Sequence, residues 1–381
     1  MKKAVYGIMV LAGLALASCT KTPMSSGSPD QANKESDLGD NVQPTQKGVL
    51  TASEWNDLNN WTFWNDILAK SEYAKMPATW GFYTANRVSV LAKDANGKVV
   101  VNMPLTLQVN GSDVFTARTD NQGYAELWPS LFSGNTVDKS QLKIKAGSKV
   151  YENIKLYAEG VNNLELPSST EANQIDVAFV MDATGSMSDE LEYLKTELKD
   201  VINRVKQGNP ASEVRTSCMV YRDTDDDYVT RSSDFTNDAA TTIAFLDKQE
   251  AGGGGDYPEA VHTALTKAVK EFAWGDQSKT KVMFFIMDAP PHNNASVVSS
   301  IQTAVAEAAA KGIKLIPVAA SGADKDTEFS LRFMSIATNG TYVFITNDSG
   351  IGKAHMAATV GSTQVEYLNN LMVRLINKYS L

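Results

Sequence analysis

Residues 175–190 read IDVAFVMDATGSMSDE, and the fold turns on how this stretch is read. The run from Ile175 to Met181 is nearly continuous in apolar side chains, as expected of a strand covered on both faces of a sheet. It stops at Asp182. An amphipathic helix then follows, with Leu191, Leu194, Leu198, Val201 or Ile202, and Val205 on one side. In between, Asp182, Thr184 and Ser186 place three oxygen-bearing side chains at alternate positions, and Gly185 permits a tight bend.

Working outward, the same alternation of strand and helix covers 172–381. Strands are expected at 175–181, 215–221, 281–287, 313–319 and 341–346, with 228–236 as an antiparallel edge strand. Helices are expected from Pro258, a good first-turn residue, and over about 295–311, ending at Gly312. A further helix at 364–379 packs back on the same domain. This pattern predicts a doubly wound α/β domain with a mostly parallel sheet. Cys218 falls inside a strand and reads as an inert core residue.

Ligands of such sheets bind where strands end at their carboxyl side. The sequence puts acids there repeatedly: Asp182 ends the first strand, Asp223 the second, and Asp288 the third long one. Asp256 sits in the glycine-rich loop AGGGGDYPEA, which carries no Gly-Lys-Ser/Thr of a phosphate cradle and is expected to be mobile. Acids gathered in this way repel one another unless a cation joins them. Hard oxygen donors select Mg²⁺, Ca²⁺ or Mn²⁺, with Mg²⁺ first. Zinc is disfavoured because His262, His292 and His355 show no ligand spacing, and His292 reads as an exposed loop residue. The competing assignment makes Ser186 a helix cap and Asp182 a solvated turn residue.

Asp182-Ala183-Thr184-Gly185-Ser186-Met187 at a strand end resembles the metal-ion-dependent adhesion site of von Willebrand factor type A domains. The resemblance implies that Asp182, Thr184 and Ser186 are the first-loop metal ligands and that Asp288 is the third-loop aspartate. In the second loop, Gly254-Gly255-Asp256 stands where many members have Gly-Gly-Thr, and Asp256 joins the ligand set. Asp223 and Glu259 are read as supporting acids beside it. The extra carboxylates lower the site's appetite for a partner's carboxylate and leave a neutral oxygen ligand as the alternative.

The leader resembles that of a bacterial lipoprotein. Lys2 and Lys3 precede the apolar run Val5–Ala17, and Leu16-Ala17-Ser18-Cys19 has the form of a lipobox. The resemblance implies a signal peptide at 1–18 and acylation of Cys19, which anchors the chain to a membrane. Thr20, in place of an aspartate, favours the outer membrane, with the periplasmic and surface-exposed sides both open. Residues 19–50 are then the acylated cysteine and a tether too poor in apolar side chains to order itself. A Trp-rich helical segment is expected over 51–78, with Ser53 as its N-cap. Short strands at 79–168 resemble carboxypeptidase-regulatory-like and transthyretin-like β-sandwiches, in the run Val88–Asp94, Gly97 and Thr119–Ala125.

The full chain has 381 residues, 43 % hydrophobic and 21 % charged, and a net charge of −9, which argues against nucleic acid as a partner. The expected function is that of an envelope or surface lipoprotein binding a protein or glycan through a divalent cation. A non-adhesive scaffold with a structural metal is the alternative, and a metal-dependent phosphatase-like hydrolase is the more distant one. The last lacks its general acid, because position 184 is Thr where Asp-x-Asp-x-Thr requires Asp. Neither a Ser-His-Asp set nor a nucleotide fingerprint appears, so no enzyme is expected.

Overall fold

The run from Ile175 forms an interior strand of an eight-stranded sheet in the computed structural model, which describes residues 46–70, 72–170 and 172–380. The leader, Cys19 and most of the tether lie outside the described residues. In chain order, strand β1 (Thr51–Trp55) is followed by helices α1 (Trp61–Leu68) and α2 (Met76–Trp80). Seven short strands come next: β2 (Val88–Lys93), β3 (Pro104–Val109), β4 (Ser112–Arg118), β5 (Tyr124–Leu127), β6 (Leu142–Ala146), β7 (Lys149–Tyr151) and β8 (Asn162–Glu165). Then follow β9 (Ala172–Asp182), α3 (Leu191–Gly208), β10 (Glu213–Tyr221), β11 (Thr230–Thr236), α4 (Ala239–Asp247) and α5 (Val261–Lys270). The chain closes with β12 (Ser278–Met287), α6 (Ala295–Lys311), β13 (Lys314–Ala319), α7 (Lys325–Ala337), β14 (Tyr342–Ile345), β15 (Glu366–Tyr367) and α8 (Leu368–Ser380).

The large sheet runs β11-β10-β9-β12-β13-β14-β1-β15. Its five inner strands are parallel, and β11, β1 and β15 are antiparallel additions at the two edges. This is the doubly wound, mostly parallel architecture that the sequence predicts. Helices α3 and α8 cover one face, where Leu194, Leu198, Leu371 and Leu375 bury against Phe179 and Phe284. Helices α5, α6 and α7 cover the other.

The seven short strands form two smaller sheets, β5-β2-β8 and β4-β3-β6-β7. Their apolar side chains share a continuous core with α6 and α7, and Phe82 stacks on Phe333 of α7 at a centroid distance of 3.4 Å. The described residues therefore cluster as one compact unit.

The segment 51–78 differs from the expected helix. Residues 51–55 are a strand, paired with β14 in the register Ala52–Ile345 to Trp55–Tyr342. Its helical Trp spacing misleads because a turn interrupts it. Asn56 accepts the Asn59 N–H on its side chain and the Asn60 N–H on its carbonyl, and the helix starts only at Trp61. The α/β sheet thus recruits a strand from ahead of the small sheets. The end of the expected tether is also held. The buried Glu197 carboxylate on α3 accepts the backbone N–H groups of Gly48, Val49 and Leu50.

Candidate metal centre

Parallel register brings the acids together. Asp182 pairs with Tyr221 and Met181 with Ile286, so the chains leaving β9, β10 and β12 emerge at the same sheet edge. Asp182 is fully buried there. Its Oδ1 accepts the Thr184 N–H at 2.8 Å and the Thr184 hydroxyl at 2.6 Å, and the Thr184 and Ser186 hydroxyls lie 3.0 Å apart. The alternate oxygens of the first loop therefore converge. Thr184 is extended and residues 185–189 turn in a short 3₁₀ coil, which aims both hydroxyls to one side.

Gly185 has a different role from the one expected. The bend needs no left-handed backbone at this position. Instead, a Cβ there would lie 3.1 Å from the Gly253 carbonyl, which accepts the Gly185 N–H. The glycine-rich loop is likewise fastened rather than free. Gly252 donates to the Ala183 carbonyl, and the Gly254 N–H donates to both oxygens of Asp226 at 3.0 and 2.8 Å. Gly253 and Gly254 both adopt positive φ, and a Cβ on Gly253 would overlap the Asp226 carboxylate.

Oδ2 of Asp182 and Oδ1 of Asp288 are buried without a partner of good hydrogen-bond geometry among the described residues, although the buried Tyr221 hydroxyl stands near enough to Asp182 to draw its carboxyl down. Oriented polar atoms of this kind cost free energy unless a ligand completes them. Burial, and then the nearby Asp288 charge, push the Asp182 carboxyl up to about 7. Burial raises Asp288 as well, against the pull of the Ser186 hydroxyl. Both shifts are dominated by burial, with the neighbouring charge that of Asp288 for Asp182 and of Glu190 for Asp288. A divalent cation reverses that logic, since it offers the charge and the coordination that both orphaned oxygens lack. The chemistry of Asp182, Thr184, Ser186 and Asp288 fits such an ion: hard oxygens only, with acids and hydroxyls from two loops.

Thr184, Ser186 and Asp288 line a cleft of about 370 Å³ that also contains Asp256, Tyr257, Glu259, Ser321 and Lys353, with Asp182 buried behind it. Lys353 is the basic residue of the lining, and Tyr257 stands 45 % exposed at the mouth. Asp256 borders the cleft, but its carboxylate gathers with Asp223 and His292, whose donor atoms all lie within 4.8 Å of one another. His292 is thus not the free loop histidine that the sequence predicts. Its Nε2 lies 2.8 Å from Asp223 Oδ1, and it is only 26 % exposed. The link is tertiary: the Glu259 N–H donates to the Pro290 carbonyl and docks the histidine loop onto the 256–259 segment, a pairing no local spacing reveals. Glu259 itself is 3 % exposed, and its Oε2 lacks a partner. Burial and the charges of Asp182 and Asp223 push it up to about 9.

Behind the first loop, Glu190 ties three segments. Its Oε2 accepts the Ser321 N–H at 3.0 Å, and its Oε1 meets His355 Nε2 at 2.8 Å. Sequence reading missed Glu190 because its partners are 131 and 165 residues away.

Residues 176–354 match the family model of the von Willebrand factor A domain. The match covers just under half of the chain. Curated relatives include a putative ariadne-like RING finger protein of Acanthamoeba polyphaga mimivirus, 30 % identical over 122 residues. That alignment covers 32 % of this chain and 12 % of the viral protein. The alpha-protein kinase vwkA of Dictyostelium discoideum is 30 % identical over 120 residues, or 31 % of this chain and 19 % of the kinase. The chain therefore aligns with only a small part of either relative. Among solved structures, the conserved hypothetical protein BatB from Bacteroides thetaiotaomicron superposes with a TM-score of 0.37 at 14 % identity, covering 54 % of this chain and 98 % of BatB. An aerotolerance-related membrane protein from Bacteroides fragilis gives a TM-score of 0.34 at 14 % identity, covering 54 % and 99 %.

Proposed function

We propose that the protein is a non-enzymatic, lipid-anchored envelope protein whose A domain binds an oxygen ligand of a protein or glycan through one divalent cation, Mg²⁺ first. The observation that carries this reading is the buried, partnerless oxygen of Asp288 in a cleft also lined by Thr184 and Ser186, with the fully buried Asp182 hydrogen-bonded to Thr184 directly behind them. Asp182, Thr184, Ser186 and Asp288 would hold the ion, which when bound offers a coordination position to a partner's oxygen. Around it, Lys353 supplies positive charge for an acidic or polar ligand, and exposed Tyr257 supplies an aromatic face. Membrane attachment rests on the Lys-Lys leader and the Leu-Ala-Ser-Cys sequence at 16–19. No helix among the described residues is long and apolar enough to cross a bilayer.

The test uses full-length protein in detergent, immobilised and probed with glycan and peptide arrays in Mg²⁺ and again in chelator. Retention in Mg²⁺ that disappears both in chelator and in Asp182→Asn supports the reading. Retention insensitive to both would overturn it.

A further inference from the structure

We propose that Asp223, Asp256 and His292 form a second divalent-cation site, of the mixed imidazole–carboxylate class that suits Mn²⁺ or Zn²⁺, beside the first. It lies outside the ligand set assigned above and does not depend on it. Among the described residues, these three are the group whose histidine and carboxylate donors converge. One ion at about 2.1 Å from each donor keeps them at most about 4.2 Å apart. The present limit of 4.8 Å is therefore closed by a small turn of the exposed Asp256 side chain. An imidazole among carboxylates shifts preference from Mg²⁺ toward first-row transition ions.

A second observation points to the same ion. Glu259 Oε2 is buried without a partner, three residues along the loop from Asp256. Five further carboxylates crowd this end of the sheet, on Asp182, Asp288, Asp223, Asp226 and Asp256, and one divalent ion with Lys353 of the cleft lining offsets three of those charges. The nearby Arg222 does not supply the remainder. It donates to the Ala183 and Glu250 carbonyls and lies over the Tyr228 ring. Asp226 is occupied by the N–H groups of Asp223 and Gly254. Asp223 and Asp256 are left for a second cation, with His292 completing its donors.

The experiment counts Mn²⁺ bound to chelator-treated full-length protein by equilibrium dialysis and records the pulsed electron-spin-echo spectrum of the bound ion. Wild type should take up two Mn²⁺ per chain but one Mg²⁺, and the spectrum should carry the nitrogen modulation of a coordinated imidazole. His292→Gln should lose the modulation and one Mn²⁺. Asp256→Asn, an exposed change that leaves the core intact, should also lose one Mn²⁺. Asp182→Asn should keep the modulated ion and lose the other. A single Mn²⁺ in wild type, without nitrogen modulation and abolished by Asp182→Asn, would overturn the second site while sparing the first. A single modulated ion that survives Asp182→Asn would support this site and refute the earlier assignment.

Discussion

Replacing Asp182 with Asn should stabilise the metal-free protein while abolishing its response to metal. Asn retains an oxygen for the Thr184 N–H and hydroxyl and removes the charge from a fully buried position. The folded-state value of the Asp182 carboxyl lies above the ordinary one, at about 7 against 3.8. Stability held by the protonated acid is therefore complete below pH 3.8 and is lost as pH rises through about 7. That gap corresponds to roughly 4 kcal/mol above pH 7, an upper bound because the pair with Asp288 titrates jointly. At pH 8 in chelator, Asp182→Asn should be about 2–4 kcal/mol more stable than wild type in urea denaturation. Adding Mg²⁺ at a hundred times its dissociation constant stabilises wild type by about 2.7 kcal/mol. For a unit of this size that is a rise of about 4 °C in Tm. The variant should not shift. A variant less stable than wild type in chelator, with equal Mg²⁺ shifts in both proteins, would refute the claim that the two acids are held apart for a cation.

Further outcomes follow from other parts of the fold. Arg332→Ala should cost about 3–5 kcal/mol in urea, because fully buried Arg332 pairs with fully buried Asp57 and its removal strands that carboxylate. Gly340→Ala should leave little folded protein by circular dichroism at 37 °C, since its Cβ would lie 1.9 Å from the Leu315 carbonyl oxygen. Buried Lys281 is pushed down to about 8 by desolvation, so its stabilising contribution is present in full above about pH 10.5 and is lost as pH falls through 8. The stability of Lys281→Met relative to wild type should accordingly fall by roughly 2–3 kcal/mol between pH 7 and 10.5, whereas a pH-independent difference would refute the assignment.

The parallel strands were legible because burial on both faces leaves an unbroken apolar signature, as in KVMFFIM at 281–287, all buried in the sheet. Asp182, Thr184 and Ser186 were legible as a group because they come from one loop, where spacing and geometry are nearly the same thing. The strand at 51–55 was not. Its alternation is short, its neighbour in the sheet lies almost 290 residues away, and the Trp positions continue a helical rhythm across a turn. Asp223 and His292 are 69 residues apart, and the parallel pairing of β10 and β12 with β9 and the docking of the Pro290 carbonyl onto the Glu259 N–H set where they meet, neither of which local spacing shows. Helix α4 also escaped notice, because of its nine residues only Thr242 and Leu246 are buried, too few to mark a face.

The arrangement sets stability against readiness to bind. Each loop at the carboxyl edge is fixed by backbone hydrogen bonds or by glycines that admit close approach, so the acids cannot swing away from one another. Glu190 extends that restraint to the loops carrying Ser321 and His355. With loops so held, the repulsion between Asp182 and Asp288 has two outlets, proton uptake or a cation. At pH values above about 7 the proton becomes the weaker competitor, and the stored repulsion then adds to cation affinity instead of opposing folding. A scaffold with solvated acids would show no such exchange, because water would already have relieved the repulsion. The coupling between cation binding and fold stability at Asp182 therefore separates a site built for an ion from a chance gathering of carboxylates.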